Sequence, residues 1–154
     1  MTRLAARHGA LNLAEGLPDF GLPEPLAQAA RLAVDLPVHQ TETPWGLAAL
    51  RQAIADAQRR HNGIVADPET DVTVTVGATE GLYATLTALL EPGDEVVLFE
   101  PFYEPYLPML KLLGAVPRFV PLAWPDMAFD PTELRRAFTP RTKAVLLNSP
   151  GNPT

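Results

Sequence analysis

From residue 70 onward, short apolar runs of strand length alternate with segments whose apolar residues recur at helical spacing, and Gly or Pro closes nearly every one. Val72, Val74 and Val76 alternate with Thr73 and Thr75 and stop at Gly77. Leu82, Leu86, Leu89 and Leu90 follow at helical spacing as far as Pro92-Gly93. Residues 96–99 predict a buried strand ended by Pro101, and residues 106–113 a helix closed by Gly114. Residues 116–122 predict a strand that Pro117 and Pro121 confine to an edge. Asp130-Pro-Thr-Glu133 predicts a helix start with Asp130 as N-cap, Pro131 at the first position and Glu133 at the third. The last strand, residues 142–147, carries Ala144, Val145, Leu146 and Leu147 and reads as apolar on both faces. Four strands with three intervening helices predict an α/β fold: a mainly parallel sheet, right-handed crossovers, helices on both faces.

The first 45 residues carry turn signals rather than strong periodicity, at Gly16-Leu-Pro-Asp-Phe-Gly-Leu-Pro23, Leu36-Pro37 and Thr43-Pro44. A helix over 25–34 fits between them, with Glu24 near its amino end. In the next helix Leu47, Leu50 and Ile54 share one face, Arg51, Gln58 and Arg59 decorate the rest, and Asn62-Gly63 ends it. The expected division is an N-terminal segment, 1–45, and an incomplete large domain, 46–154.

Charge and composition narrow the partners. A net charge of −6 argues against nucleic acid. No apolar run approaches a membrane span, and the start has no long apolar stretch of the secretory kind, so a cytoplasmic protein with no membrane partner is expected. The absence of cysteine excludes disulfides and thiolate chemistry, and His8, His39 and His61 lack ligand spacing, so no metal site is expected.

Three points at strand ends could carry chemistry, where ligands of open α/β sheets collect. At Gly77-Ala78-Thr79, free amides of a helix start offer an anion site; the alternative is an ordinary turn with Thr79 as N-cap. At Glu100-Pro-Phe-Tyr-Glu-Pro-Tyr106, Tyr103 either lies on a planar cofactor or packs the next helix onto the sheet, while packing is the better reading for Phe102 and Tyr106. Asn152 either donates from its amide to a ligand oxygen or simply forms an Asn-Pro turn. The glycine spacing matches neither common nucleotide loop.

These residues resemble pyridoxal-phosphate-dependent aminotransferases of fold type I, class I/II, and most of all the kynurenine, glutamine and methionine transaminases. The resemblance rests on Leu13-Ala-Glu-Gly-Leu-Pro-Asp-Phe20, Gly46-x-x-x-Leu-Arg51, Val74-Thr-Val-Gly-Ala-Thr-Glu80, Glu91-Pro-Gly-Asp-Glu-Val96, Glu100-Pro-x-Tyr103 and Asn148-Ser-Pro-x-Asn-Pro-Thr154, in that order. It implies pyridoxal 5'-phosphate as cofactor, amino acid and 2-oxo acid as substrates, and a homodimer for the full-length form. It also implies that Ala78 and Thr79 hold the cofactor phosphate and Tyr103 stacks on its ring. Asn152 would reach the ring's 3' oxygen and, with the amide of Gly16, the substrate carboxylate. Cis bonds are implied at Glu100-Pro101 and Asn152-Pro153.

Two departures qualify the resemblance. His39-Gln40-Thr41 has Thr where the family often places a phosphate-contacting Tyr of the neighbouring subunit. Family members are also much longer, and their Schiff-base lysine, pyridine-nitrogen acid and carboxylate-clamping arginine lie beyond the last residue here. Lys111 and Lys143 match none of these, so no catalytic residue is assigned and the 154-residue chain is expected to be inactive alone. The alternatives are a C–S lyase or cyclopropane-carboxylate synthase on the same cofactor, or a non-enzymatic remnant that assembles with another polypeptide.

Overall fold

The computed structural model describes residues 1–14, 16, 18–37 and 43–153. His39, Gln40 and Thr41 lie outside the described residues, as do Glu15, Leu17 and Thr154. The chain separates into two compact units, Met1–Thr41 and Glu42–Thr154. The first holds α1 (Thr2–His8) and α2 (Glu24–Val34), neither with a buried residue. Helix α2 matches the expected position, and its Glu24 pairs with Arg31 at 3.0 Å.

The second unit is organised around β1 (Glu95–Glu100), where Val96, Val97 and Leu98 lose all solvent exposure. Successive side chains of a strand point to opposite faces, and the two faces bury different partners. Val96 and Leu98 join Leu86, Leu90, Leu110 and Met109, drawn from α4 (Gly77–Leu89), its C-cap and α5 (Tyr106–Leu112). Val97 joins Val120 of β2 (Val116–Ala123) and Ala137 of α6 (Pro131–Ala137), with Phe99 and Leu134 packed on them. Helices therefore cover both faces.

The sheet runs β3–β2–β1–β4, with β3 at Ala128–Phe129 and β4 at Thr142–Leu146. Strand β1 pairs in parallel with β2 and β4, and β2 pairs antiparallel with β3. The expected mainly parallel α/β sheet is borne out. Helix α6 starts as expected: Asp130 accepts from the Thr132 amide at 2.7 Å, with Pro131 in the first turn. Glu133, however, pairs with Arg136 at 2.6 Å.

Three local expectations need correction. Residues 72–76 form no strand: a ladder needs a partner, and among the described residues only the Val74 amide of this segment finds a backbone acceptor, Trp45 O at 2.9 Å. Strand β2 is an edge over its first six residues only. The Val116 amide donates to Asp94 O, so the even positions face β1 and Pro117 and Pro121 point to the unpaired side, as prolines must. Beyond them Leu122 and Ala123 pair with the two residues of β3. Strand β4 is buried on one face, not two: Ala144 and Leu146 are half-buried, while Val145 and Leu147 are exposed.

Helix α3 (Ala48–Asn62) presents another correction. Its buried face is centred on Arg51 and Ala55, and Leu50 is exposed. Arg51 leaves water because its guanidinium is satisfied: it donates to Gly46 O at 3.3 Å, Pro68 O at 2.5 Å and Glu69 Oε1 at 3.1 Å. It thus ties the helix to the loop leading into residues 72–76.

Candidate functional site

Gly77 turns the chain from the extended segment into α4 with φ +79°, a conformation that costs glycine little. Thr75 Oγ1 donates to Gly77 O at 3.0 Å, and the Glu80 carboxylate accepts from the Val76 amide. These contacts aim the helix start. Val76 is the N-cap residue and no side chain caps the helix, so Thr79 is not the cap. Thr79 lies in the first turn beside Ala78, where amides have no acceptor within the helix. Both residues are exposed, and the Thr79 hydroxyl bonds to no described residue. The arrangement offers two amides, a hydroxyl and the positive end of a 13-residue helix dipole to an anion.

Tyr103 follows the cis Glu100-Pro101 bond at the carboxyl end of β1. It is half-buried, and its ring meets that of Tyr106 edge-on, with centroids 5.6 Å apart and an interplanar angle of 80°. Tyr103 lines the same open groove, of about 630 Å³, as Ala78, Thr79 and Leu82 of α4 and Leu146 of β4. The anion donors and an aromatic face therefore share one wall system. A flat, phosphorylated aromatic ligand fits that donor set.

Asn152 occupies the turn after β4, where Ser149-Pro150 and Asn152-Pro153 are cis. Asn148 closes this turn in the amide orientation that satisfies both its atoms, donating to Pro150 O and accepting from the Asn152 amide, each at 3.3 Å. Asn152 lines a smaller cleft of about 40 Å³ with Pro101, Phe102 and Asn148. Tyr106 and Leu146 are common to cleft and groove, so the two adjoin. Gly16 belongs to the Met1–Thr41 unit, is exposed, and would accept a Cβ without meeting any atom within 4 Å. The structure thus brings Ala78, Thr79 and Tyr103 together and sets Asn152 next door. Lys111 and Lys143 are exposed, and neither lines the groove.

Tyr106 is a groove residue that spacing alone did not single out for the site; it looked like packing, and it is buried with Leu98 and Leu110. Burial, then the neighbouring Tyr103, raises its phenol pKa, so it stays protonated at neutral pH. At the opposite end of β1, the buried Glu95 carboxylate accepts from Arg118 (2.7 Å), Thr139 (2.6 Å) and Arg141 (2.6 and 3.0 Å). The Arg118 hydrogen bond foremost, then Thr139, holds its pKa down at about 2. This cluster binds β1, β2 and the loop before β4 at the end remote from the groove.

The family described as "Aminotransferase class I and II" matches residues 9–154. The chain is 50% identical to the probable N-succinyldiaminopimelate aminotransferase DapC of Mycobacterium tuberculosis, covering 100% of this chain and 39% of that protein. It is 40% identical to methionine aminotransferase of Escherichia coli (100% and 40%) and 37% identical to kynurenine–oxoglutarate transaminase 3 of Rattus norvegicus (99% and 36%). The solved N-succinyldiaminopimelate aminotransferase from Mycobacterium tuberculosis superimposes with a TM-score of 0.92 at 49% identity, covering 100% of this chain and 41% of that one. These relatives are therefore about two and a half times as long as this chain.

Proposed function

Because the chain belongs to the aminotransferase class I and II family, we propose that it forms the phosphate- and ring-binding wall of a pyridoxal 5'-phosphate site. The whole protein would pass an amino group between an amino acid and a 2-oxo acid. The observation that carries this reading is the groove shared by Ala78, Thr79 and Tyr103. The amides of Ala78 and Thr79 and the Thr79 hydroxyl hold the phosphate, each donor adding a modest increment. Tyr103 lies against the ring, a contact worth about 0.5–1.5 kcal/mol. The Asn152 amide donates to the ring oxygen and stands beside the substrate carboxylate. When bound, the cofactor supplies the electron sink that eases proton removal at the amino acid's Cα.

Residues 46–154 are then the first part of a cofactor-binding large domain. A homodimer and a cytoplasmic location accompany the full-length form. The relatives named for N-succinyldiaminopimelate, methionine and kynurenine support an amino acid as the amino donor. Neither Lys111 nor Lys143 lines the groove, so the 154-residue chain binds the cofactor without a covalent link and does not transaminate.

Equilibrium binding of pyridoxal phosphate and of pyridoxal, each followed by borohydride reduction and peptide mapping, tests this. The chain is expected to bind the phosphorylated form at least about tenfold more tightly, since charge-assisted hydrogen bonds carry the difference, and to yield no adduct at a defined lysine. Equal affinity for the two would overturn the phosphate assignment. A specific adduct at Lys111 or Lys143 would overturn the expected inactivity.

A further inference from the structure

Four rings form a column that runs from the middle of β2 to the groove. Phe119 stacks on Phe102 with centroids 5.7 Å apart and planes 9° from parallel. Phe102 stacks on Tyr106 at 6.4 Å and 28°, and Tyr106 meets Tyr103 edge-on at 5.6 Å. The two ends of the Tyr106–Tyr103 contact differ in how firmly they are held. Tyr106 opens α5, is 7% exposed, and packs in the core with Leu98 and Leu110, which are fully buried. Tyr103 sits in the loop before that helix and is only half-buried. The Tyr106 hydroxyl bonds to no described residue, so ring contacts and not a polar tether hold this side chain. Edge-to-face packing is directional, because the positive rim of one ring seeks the negative face of the other.

We infer that Tyr106 is a positioning residue for the bound cofactor: its T-shaped contact fixes the plane of Tyr103, and Phe102, stacked on Tyr106, supports that ring in turn. A loop tyrosine without that support could turn about its side-chain torsions, and each turn would remove its face from the groove. Tyr106 also forms part of the wall between groove and cleft, so the same ring separates the phosphate side from the Asn152 side. The inference rests on Tyr103 being the residue that stacks on the cofactor ring.

Pyridoxamine 5'-phosphate, which lacks the aldehyde, is the probe. Its dissociation constant and its induced circular dichroism are measured with the wild-type chain, Tyr103→Ala, Tyr106→Phe, Tyr106→Leu and the Tyr103→Ala/Tyr106→Leu pair. Tyr106→Phe keeps the ring edge and should bind within about twofold of wild type, whereas Tyr106→Leu should weaken binding about 3- to 10-fold and flatten the induced signal. In the Tyr103→Ala background the Leu substitution should add nothing, because its effect passes through Tyr103. A loss that persists in that background, or no loss at all, overturns the inference. If Tyr106→Leu fails to fold, Phe102→Leu one ring further back is used, with the same expected loss and the same dependence on Tyr103. Failure of the folded wild-type chain to bind defeats the cofactor reading and the inference with it. Wild-type binding unaffected by Tyr106→Leu defeats the inference alone.

Discussion

Replacing Gly46 with alanine should cost far more than the same change at Gly63, although both glycines have positive φ. At Gly46, φ is +95°, and an added Cβ would lie 2.6 Å from Val74 Cβ and 2.8 Å from its Cγ2. At Gly63, φ is +67° and nothing lies within 4 Å. The backbone cost of a non-glycine residue at positive φ is roughly 1–2 kcal/mol and applies to both. The clash adds about 1–3 kcal/mol at Gly46 only, the usual range for overpacking. Relief by movement is blocked on both sides: the Val74 amide is bonded to Trp45 O and the Gly46 carbonyl to Arg51 Nε. Urea unfolding of the two variants against wild type gives the comparison. Gly46→Ala should lose about 2–5 kcal/mol and Gly63→Ala about 1–2. The difference isolates the close approach. Equal losses would refute the reasoning, since strain at φ would then explain everything and the Gly46–Val74 contact nothing. The same variant should weaken phosphate binding, because residues 72–76 carry the chain into Gly77 and the start of α4.

Other expectations follow from the same geometry. Tyr103→Ala should weaken pyridoxamine phosphate binding about 2- to 10-fold with little change in melting temperature, as a half-buried loop ring contributes more to the ligand than to the core. Glu95 has its pKa lowered from 4.5 to about 2. The stability it contributes is therefore complete above about pH 4.5 and lost as pH falls towards 2. Glu95→Gln should flatten that acid limb in a pH series of thermal melts, and an unchanged limb would contradict the assignment. Val145→Lys, on the exposed face of β4, the end strand of the described sheet, should reduce self-association in sedimentation, because a charge blunts an open sheet edge.

Helices α2 to α6, the buried strand and the capped start of α6 were legible because each carries a local signal: apolar spacing, a Gly stop, or Asp130-Pro131, whereas α1 (Thr2–His8) was not foreseen. The α/β class followed from their alternation. What escaped depends on partners that local spacing does not contain. Residues 72–76 alternate perfectly, yet alternation describes a face and not a neighbour to pair with. Arg51 looked like a solvent-facing charge because only the fold brings Pro68 O and Glu69 to its guanidinium. Strand β3 is two residues long, too short for any periodicity. In the candidate site, Ala78, Thr79 and Tyr103 stood out because each follows an apolar run closed by Gly or Pro, and the structure lines one groove with them. Tyr106 was legible only as packing, since nothing in its spacing says that one core ring also borders a groove. The resemblance pointed to the kynurenine, glutamine and methionine transaminases, while the identity to DapC (50%) exceeds that to the kynurenine relative (37%).

Titrating the isotope-labelled chain with pyridoxamine 5'-phosphate while following its backbone amide resonances tests the central claim most directly. The amides of Ala78, Thr79 and Tyr103 should move together with one dissociation constant, and that of Asn152 should follow them. Shifts that spare the start of α4 or the Tyr103 loop, or that fit separate affinities at these positions, would contradict a single shared site.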